Sequence, residues 1–158
     1  MYRKNIGTIT INGVVTPNPR CQLNEIQAVV LPPVQASNFG DDHIAKAQAQ
    51  PLLIKFDNCS ENINALQLQI PKQNKRLLKN LSKGGSNVDI AIFDADKKII
   101  SLDNERPEAF KLTVNKENND AQFLFNVNYM KPNGEDATPG LVSSTLTFDV
   151  IYSDVSTD

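Results

Sequence analysis

The sequence predicts an all-β sandwich. Short segments alternate apolar and polar residues along most of its 158 positions. Pro, Gly and Asn fall between those segments at close intervals. Only residues 72–83 repeat at helical spacing. Closely spaced alternating segments divided by turn residues describe stacked antiparallel sheets.

The elements justify this in order. Ile9, Ile11, Gly13 and Val15 alternate with Thr8, Thr10, Asn12 and Val14, and Pro17 and Pro19 then end regular pairing. Residues 27–31 make a short strand that stops at Pro32 and Pro33. Residues 35–50 are polar and read as a loop. Leu52, Ile54 and Phe56 alternate up to Cys59, and Leu66, Leu68 and Ile70 alternate with glutamines up to Pro71. Residues 72–83 carry Lys72, Lys75, Arg76, Lys79 and Lys83 opposite Leu77, Leu78 and Leu81, so a short surface helix is expected. Val88, Ile90 and Ile92 lead into a turn at Asp94–Lys98, and Ile99 to Leu102 resumes a strand. A short strand covers 111–114, and Phe123, Phe125, Val127 and Tyr129 share one face of the next. Pro132-Asn-Gly and Thr138-Pro-Gly turn. In the last strand, 146–152, Leu146, Phe148, Val150 and Tyr152 face the core. Six mostly polar residues follow, too few for another buried strand. Its edge is therefore closed by an earlier segment or left open for another chain.

Composition bounds the function. Sixteen basic and 18 acidic residues leave a net charge of −2, which gives no electrostatic case for nucleic acid. No apolar run approaches membrane-spanning length. Arg3 and Lys4 are followed by no continuous apolar region, so the start is not an intact signal peptide. The length and the 40% apolar content suit one domain with a short extension.

Two cysteines by themselves are compatible with free thiols or a bond. Cys21 and Cys59 both sit at element boundaries, where a staple between neighbouring strands is useful. A disulfide is expected, and with it an oxidising compartment. Closing a loop of about 38 residues stabilises the fold by roughly 4 kcal/mol on the loop-entropy model.

Other motifs carry little chemistry. Asp94 and Asp96 begin a segment without the Gly and closing Glu of a calcium loop, so a hairpin turn is expected. Gly84-Gly85-Ser86 resembles a phosphate cradle, but no Lys follows and the next element is a strand. His43 is the only histidine, it lies in a polar loop, and no nucleophile elbow accompanies it. The sequence points to no enzyme, no metal site and no cofactor. Asn58-Cys-Ser and Asn80-Leu-Ser match the glycosylation sequon, which matters only in a eukaryotic secretory pathway.

The whole set resembles a subunit of a chaperone–usher fimbria, the type 1 and P pilus family. An Ile9-Thr-Ile-Asn-Gly-Val-Val strand precedes Cys21. Val29-Val-Leu-Pro-Pro-Val is similar to the short strand that follows, and Leu52-Leu-Ile-Lys-Phe-Asp-Asn-Cys59 to the strand ending in the second cysteine. Ser86–Asp94 with Ile99–Asp103 resembles the mid-domain hairpin. Phe123–Tyr129, Gly140 and Thr147-Phe-Asp-Val-Ile-Tyr152 resemble the closing segment.

The resemblance implies an incomplete immunoglobulin-like sandwich, the pilin fold, completed by a donor strand from another chain. It implies a structural subunit of an adhesive surface fimbria that polymerises by donor-strand exchange. Residues 1–19 would be the donor extension, 20–153 the pilin domain and 154–158 a C-terminal tail. Ile9, Ile11, Gly13 and Val15 would enter pockets of a neighbour, with Gly13 where the groove is too shallow for a side chain. Leu146, Phe148, Val150 and Tyr152 would help line this subunit's own acceptor groove. The implied partners are neighbouring subunits, a periplasmic chaperone and an outer-membrane usher, and the implied location is the bacterial cell surface, reached through the periplasm. Family chains usually stop just after the aromatic matching Tyr152, whereas this one continues through Asp154–Asp158. The alternative is a secreted β-sandwich carbohydrate-binding module. That module would need exposed aromatics, and the ten aromatics fall mostly on core faces.

Overall fold

The computed structural model describes residues 20–24, 29–106 and 108–156. The strands are β1 (Gln22–Leu23), β2 (Gln50–Asp57), β3 (Ile63–Ile70), β4 (Asp89–Phe93), β5 (Glu108–Thr113), β6 (Ala121–Met130) and β7 (Asp149–Val155). They form two antiparallel sheets, ordered β1-β2-β6-β4 and β5-β3-β7. No helix occurs among the described residues.

Period-two patterning explains the strands. In β2, Leu52, Ile54 and Phe56 are buried while Leu53 is 46% exposed. In β6, Phe125 and Val127 point inward, and Leu124, opposite Leu53, points out. Phe110 of β5 contacts Phe123 and Phe125 of β6, each at 5.2 Å between ring centroids. These rings join the two sheets. Truncating Phe125, which is 1% exposed, to Ala should cost about 3–5 kcal/mol by chemical denaturation, as for other buried aromatics. A loss below about 1 kcal/mol would contradict this account of the core.

The expected disulfide forms between Cys21 and Cys59. It staples the residue before β1 to the chain just past β2, beside the Gln22–Asp57 pair.

Four segments differ from expectation. Ile99 to Leu102 forms no strand, only an isolated bridge from Ile99 to Phe93. Residues 72–83 are not helical. Leu77 packs on a satellite cluster with Ala91, Phe93 and Met130, while its neighbour Leu78 packs on the main core. Adjacent side chains facing opposite ways require extended backbone, and Leu78 exchanges both backbone hydrogen bonds with Ile90. Of the lysines in this stretch, Lys72 pairs with Glu105 and Lys75 with Asp89.

The expected strand at 27–31 is assigned no strand structure from Val29 onward; residues 27 and 28 lie outside the described residues. Pro32 and Pro33 have no amide hydrogen to give a ladder. The last strand is displaced, running 149–155 instead of 146–152. Asp154 and Val155, expected in a tail beyond the domain boundary at 153, pair with Ala65 and Ile63 of β3. Val155 packs against the core, which gives the extra residues a reason to continue the sheet. The register shifts twice near this end.

The turn at Asp94 is closed by its carboxylate, which accepts from the amides of Asp96 and Lys98. Asn128 is buried and donates to the carbonyls of Ala45 and Ala47, so part of the polar 35–50 loop covers the far end of β6.

Candidate functional site

The site begins at β7. Among the described residues, β7 is hydrogen-bonded to β3 alone and stands at the end of its sheet. Upstream of it, alternation continues without a regular ladder. Val142, Ser144, Leu146, Phe148, Val150 and Tyr152 turn inward to varying depth. Leu146 and Phe148 are each 1% exposed. Val150 and Tyr152 are half-buried and pack on the core.

Opposite this stretch runs the segment 29–36. Val29 and Leu31 lean on the core, and Val30 between them is exposed. Between the two walls lies an open cleft of about 590 Å³. Leu31, Val34 and Phe39 line one side, and Ala137, Leu141 and Val142 line the other. A smaller depression of about 40 Å³, lined by Val29, Leu31, Leu78, Ile90, Val127, Ser144 and Leu146, reaches toward the core. The depression is mostly aliphatic with one hydroxyl.

Two tyrosines tie the walls to the sandwich. The Tyr152 hydroxyl accepts from the Cys21 amide at 2.8 Å and donates to the Cys21 carbonyl at 3.2 Å. The middle of β7 is thereby fixed to the backbone at the disulfide. The Tyr129 hydroxyl donates to the Leu31 carbonyl at 3.3 Å, holding the 29–36 wall to β6. Burial pushes the Tyr129 phenol above its ordinary range. An unfolded tyrosine titrates near about 10. Between that value and the higher folded one, the unfolded chain holds fewer protons than the native chain. Stability is therefore full below pH ~10 and falls as pH rises through the folded value. Tyr129→Phe should flatten this alkaline loss in denaturation curves taken from pH 9 to 12, and should cost about 1 kcal/mol at neutral pH for the lost hydrogen bond. An unchanged alkaline slope would remove Tyr129 as its source.

Of the four residues expected in the groove, Leu146 lines the small depression, Phe148 is buried in the core, and Val150 and Tyr152 pack against that core without lining the cleft. Ile9, Ile11, Gly13 and Val15 lie outside the described residues. Sequence reading missed the opposite wall of Val29, Leu31 and Val34, and the rim at Leu141 and Val142. Val29-Val-Leu-Pro-Pro-Val was the available signal: an apolar run whose prolines deny it a place in a ladder. His43 occupies a left-handed turn, with its amide bonded to Gly40 and its carbonyl to Lys131. Among the described residues no group of three His, Cys, Asp or Glu side chains is placed to hold a metal. The arrangement offers strand pairing and apolar burial.

Known proteins resemble this chain in sequence family and in fold. The family model described as "Fimbrial protein" matches residues 9–153. No curated protein matches the chain. Among solved structures, the CupB6 tip adhesin from Pseudomonas aeruginosa is similar at TM-score 0.52 and 11% identity, covering 75% of this chain. This chain spans 38% of that adhesin, so the likeness is one of fold. An antigen and type I fimbria protein of Burkholderia pseudomallei aligns at TM-score 0.43 and 19% identity over 94% of this chain and 89% of its own.

Proposed function

Because this chain belongs to the fimbrial protein family, and so is a subunit of a surface fimbria that assembles with other subunits, we propose that it polymerises by donor-strand exchange through the cleft just upstream of β7. One observation carries this reading: a cleft lined by apolar residues with some polar groups lies between residues 29–36 and 137–146, on the sandwich whose β7 ends its sheet among the described residues. An extended strand entering there would gain a partner for its backbone and cover for its apolar side chains.

In this reading residues 1–19 are the donor extension, and the domain from Arg20 onward is the acceptor. Ile9, Ile11 and Val15 fill pockets of the next subunit, while Gly13 passes over the shallow point. Leu146 borders this subunit's own groove, with Phe148, Val150 and Tyr152 packed on the core behind it. Burying three aliphatic side chains at ~1.5–3 kcal/mol each supplies roughly 5–9 kcal/mol gross. Ordering the strand opposes that at about 1–2 kcal/mol per residue. Backbone bonds and completion of the acceptor core must make up the difference. Before assembly a periplasmic chaperone fills the groove, and an outer-membrane usher orders the exchange. The subunit's role in the fibre is mechanical, with no catalytic step.

A synthetic peptide of residues 1–19, incubated with the chain, tests this. An acceptor should take up the peptide and melt at least 10 °C higher. No uptake and no shift would leave a self-contained sandwich and refute the reading.

A further inference from the structure

Residues 136–144 form one rim of the cleft, yet they belong to no strand. The 78–88 loop holds them through backbone and side chains: the Leu81 and Ser86 amides donate to the Ser143 and Leu141 carbonyls at 2.7 and 3.1 Å, the Ser144 hydroxyl donates to the Lys79 carbonyl at 2.8 Å, and two asparagine side chains of the loop add to these. The Asn80 amide donates from Nδ2 to the Leu141 carbonyl at 2.8 Å and to the Ser86 carbonyl at 2.9 Å. Its Oδ1 accepts from the amides of Ser143 and Ser82, both at 3.0 Å. A carboxamide has two donor hydrogens and two acceptor sites, and here all four are engaged. Asn80 is itself anchored. Its backbone amide donates to Asp89 Oδ1 at 2.8 Å, and Lys75 Nζ holds Asp89 Oδ2 at 2.7 Å.

Asn87 makes a second clasp. Its amide donates to Thr138 Oγ1, its Nδ2 to the Asp136 carbonyl, and its Oδ1 accepts from the Thr138 amide, each at 2.9 Å. Between the two clasps the backbones come together. A Cβ added to Gly140, whose φ is +143°, would lie 2.6 Å from the Ser86 nitrogen. The rim therefore has a defined seat.

We propose that Asn80, seconded by Asn87, is a positioning residue that holds the 136–144 rim away from the cleft in the empty subunit, so that the groove is preformed for an incoming strand. This rests on the acceptor reading above. The rim carries Leu141, 76% exposed beside an open cleft. Folding that side chain inward would remove apolar surface from water, so an unclasped rim is drawn into the groove. Capture then falls in proportion to the fraction of subunits still open. A domain open one time in ten captures about tenfold more slowly.

The test uses the full chain and a fluorescent peptide of residues 1–19, with capture followed by anisotropy. Asn115→Ala is the structural control, since Asn115 Oδ1 accepts from the Glu117 amide in a distant turn. Asn80→Ala should capture about tenfold more slowly than wild type and Asn115→Ala, and once filled it should melt within a few degrees of filled wild type. Capture at the wild-type rate would overturn the proposal. So would a melting loss equal in the empty and filled states, which marks a purely structural residue. Should Asn80→Ala fail to fold, Asn87→Ala carries the same expectations. Failure of the wild-type chain to capture the peptide would overturn the acceptor reading itself.

Discussion

Gly13→Arg should yield a folded subunit that does not form fibres. In the proposed exchange Gly13 crosses the shallow part of a neighbour's groove. An arginine there must either carry an unpaired guanidinium into an apolar cleft or keep the whole strand out. Even after relaxation, burying an unpaired charge costs several kcal/mol. That removes much of the roughly 5–9 kcal/mol gross gain from the three aliphatic side chains beside it, a gain that ordering the strand already opposes. Polymer visible by electron microscopy and in the void volume of a sizing column should fall to background. The substitution lies outside the stapled domain, so the circular dichroism spectrum and uptake of the wild-type 1–19 peptide should persist. Wild-type fibre yield from this variant would refute the donor assignment.

The second large effect is expected from opening the disulfide. Cys21→Ser with Cys59→Ser should lower stability by roughly 4 kcal/mol, the entropy of closing a loop of about 38 residues in the unfolded chain. A natural domain has only about 5–15 kcal/mol in total. The double variant should therefore lose roughly a quarter to four-fifths of its stability. Urea denaturation with and without reductant checks this: reductant should shift the wild-type midpoint and leave the double variant unmoved. A wild-type midpoint insensitive to full reduction would show that the sheets need no staple. The loss should be felt at the groove as well, because the Tyr152 hydroxyl holds the backbone of Cys21.

Much of the fold was legible because β2, β3 and β6 keep a wet face. Leu52, Ile54 and Phe56 alternate with residues that meet solvent, and that period survives folding unchanged. The stretch 72–83 misled because its lysines fall at helical spacing. Their positions are set by exposure and by ion pairs with Glu105 and Asp89, whereas Leu77 and Leu78, packing on different clusters, decide the backbone. The end of β7 was misplaced because its partner is Ile63, nearly a hundred residues earlier, and no local pattern records that Val155 will find it. The inner face of the groove, at Leu146 and Phe148, was visible as alternation. The facing wall at Val29–Val34 was not, since its apolar residues join no ladder that would give them a period. Asn80 was invisible as a clasp: its partners at Leu141 and Ser143 lie 61 and 63 positions away.

The staple at Cys21 has a mechanical consequence. In the proposed fibre, tension on one subunit arrives through the extension that leaves the domain just before this residue. β1, only two residues long, would peel from β2 one pair at a time under such a pull. The Cys21–Cys59 bond intercepts the force before it reaches β1 and delivers it covalently to the end of β2. β2 is paired with β6 over seven successive positions, from Gln50–Val127 to Phe56–Ala121. Load enters that ladder along the strand, so its bonds are sheared together instead of being unzipped singly. A fibre of such links would yield first where strand meets groove, leaving each domain intact to be refilled.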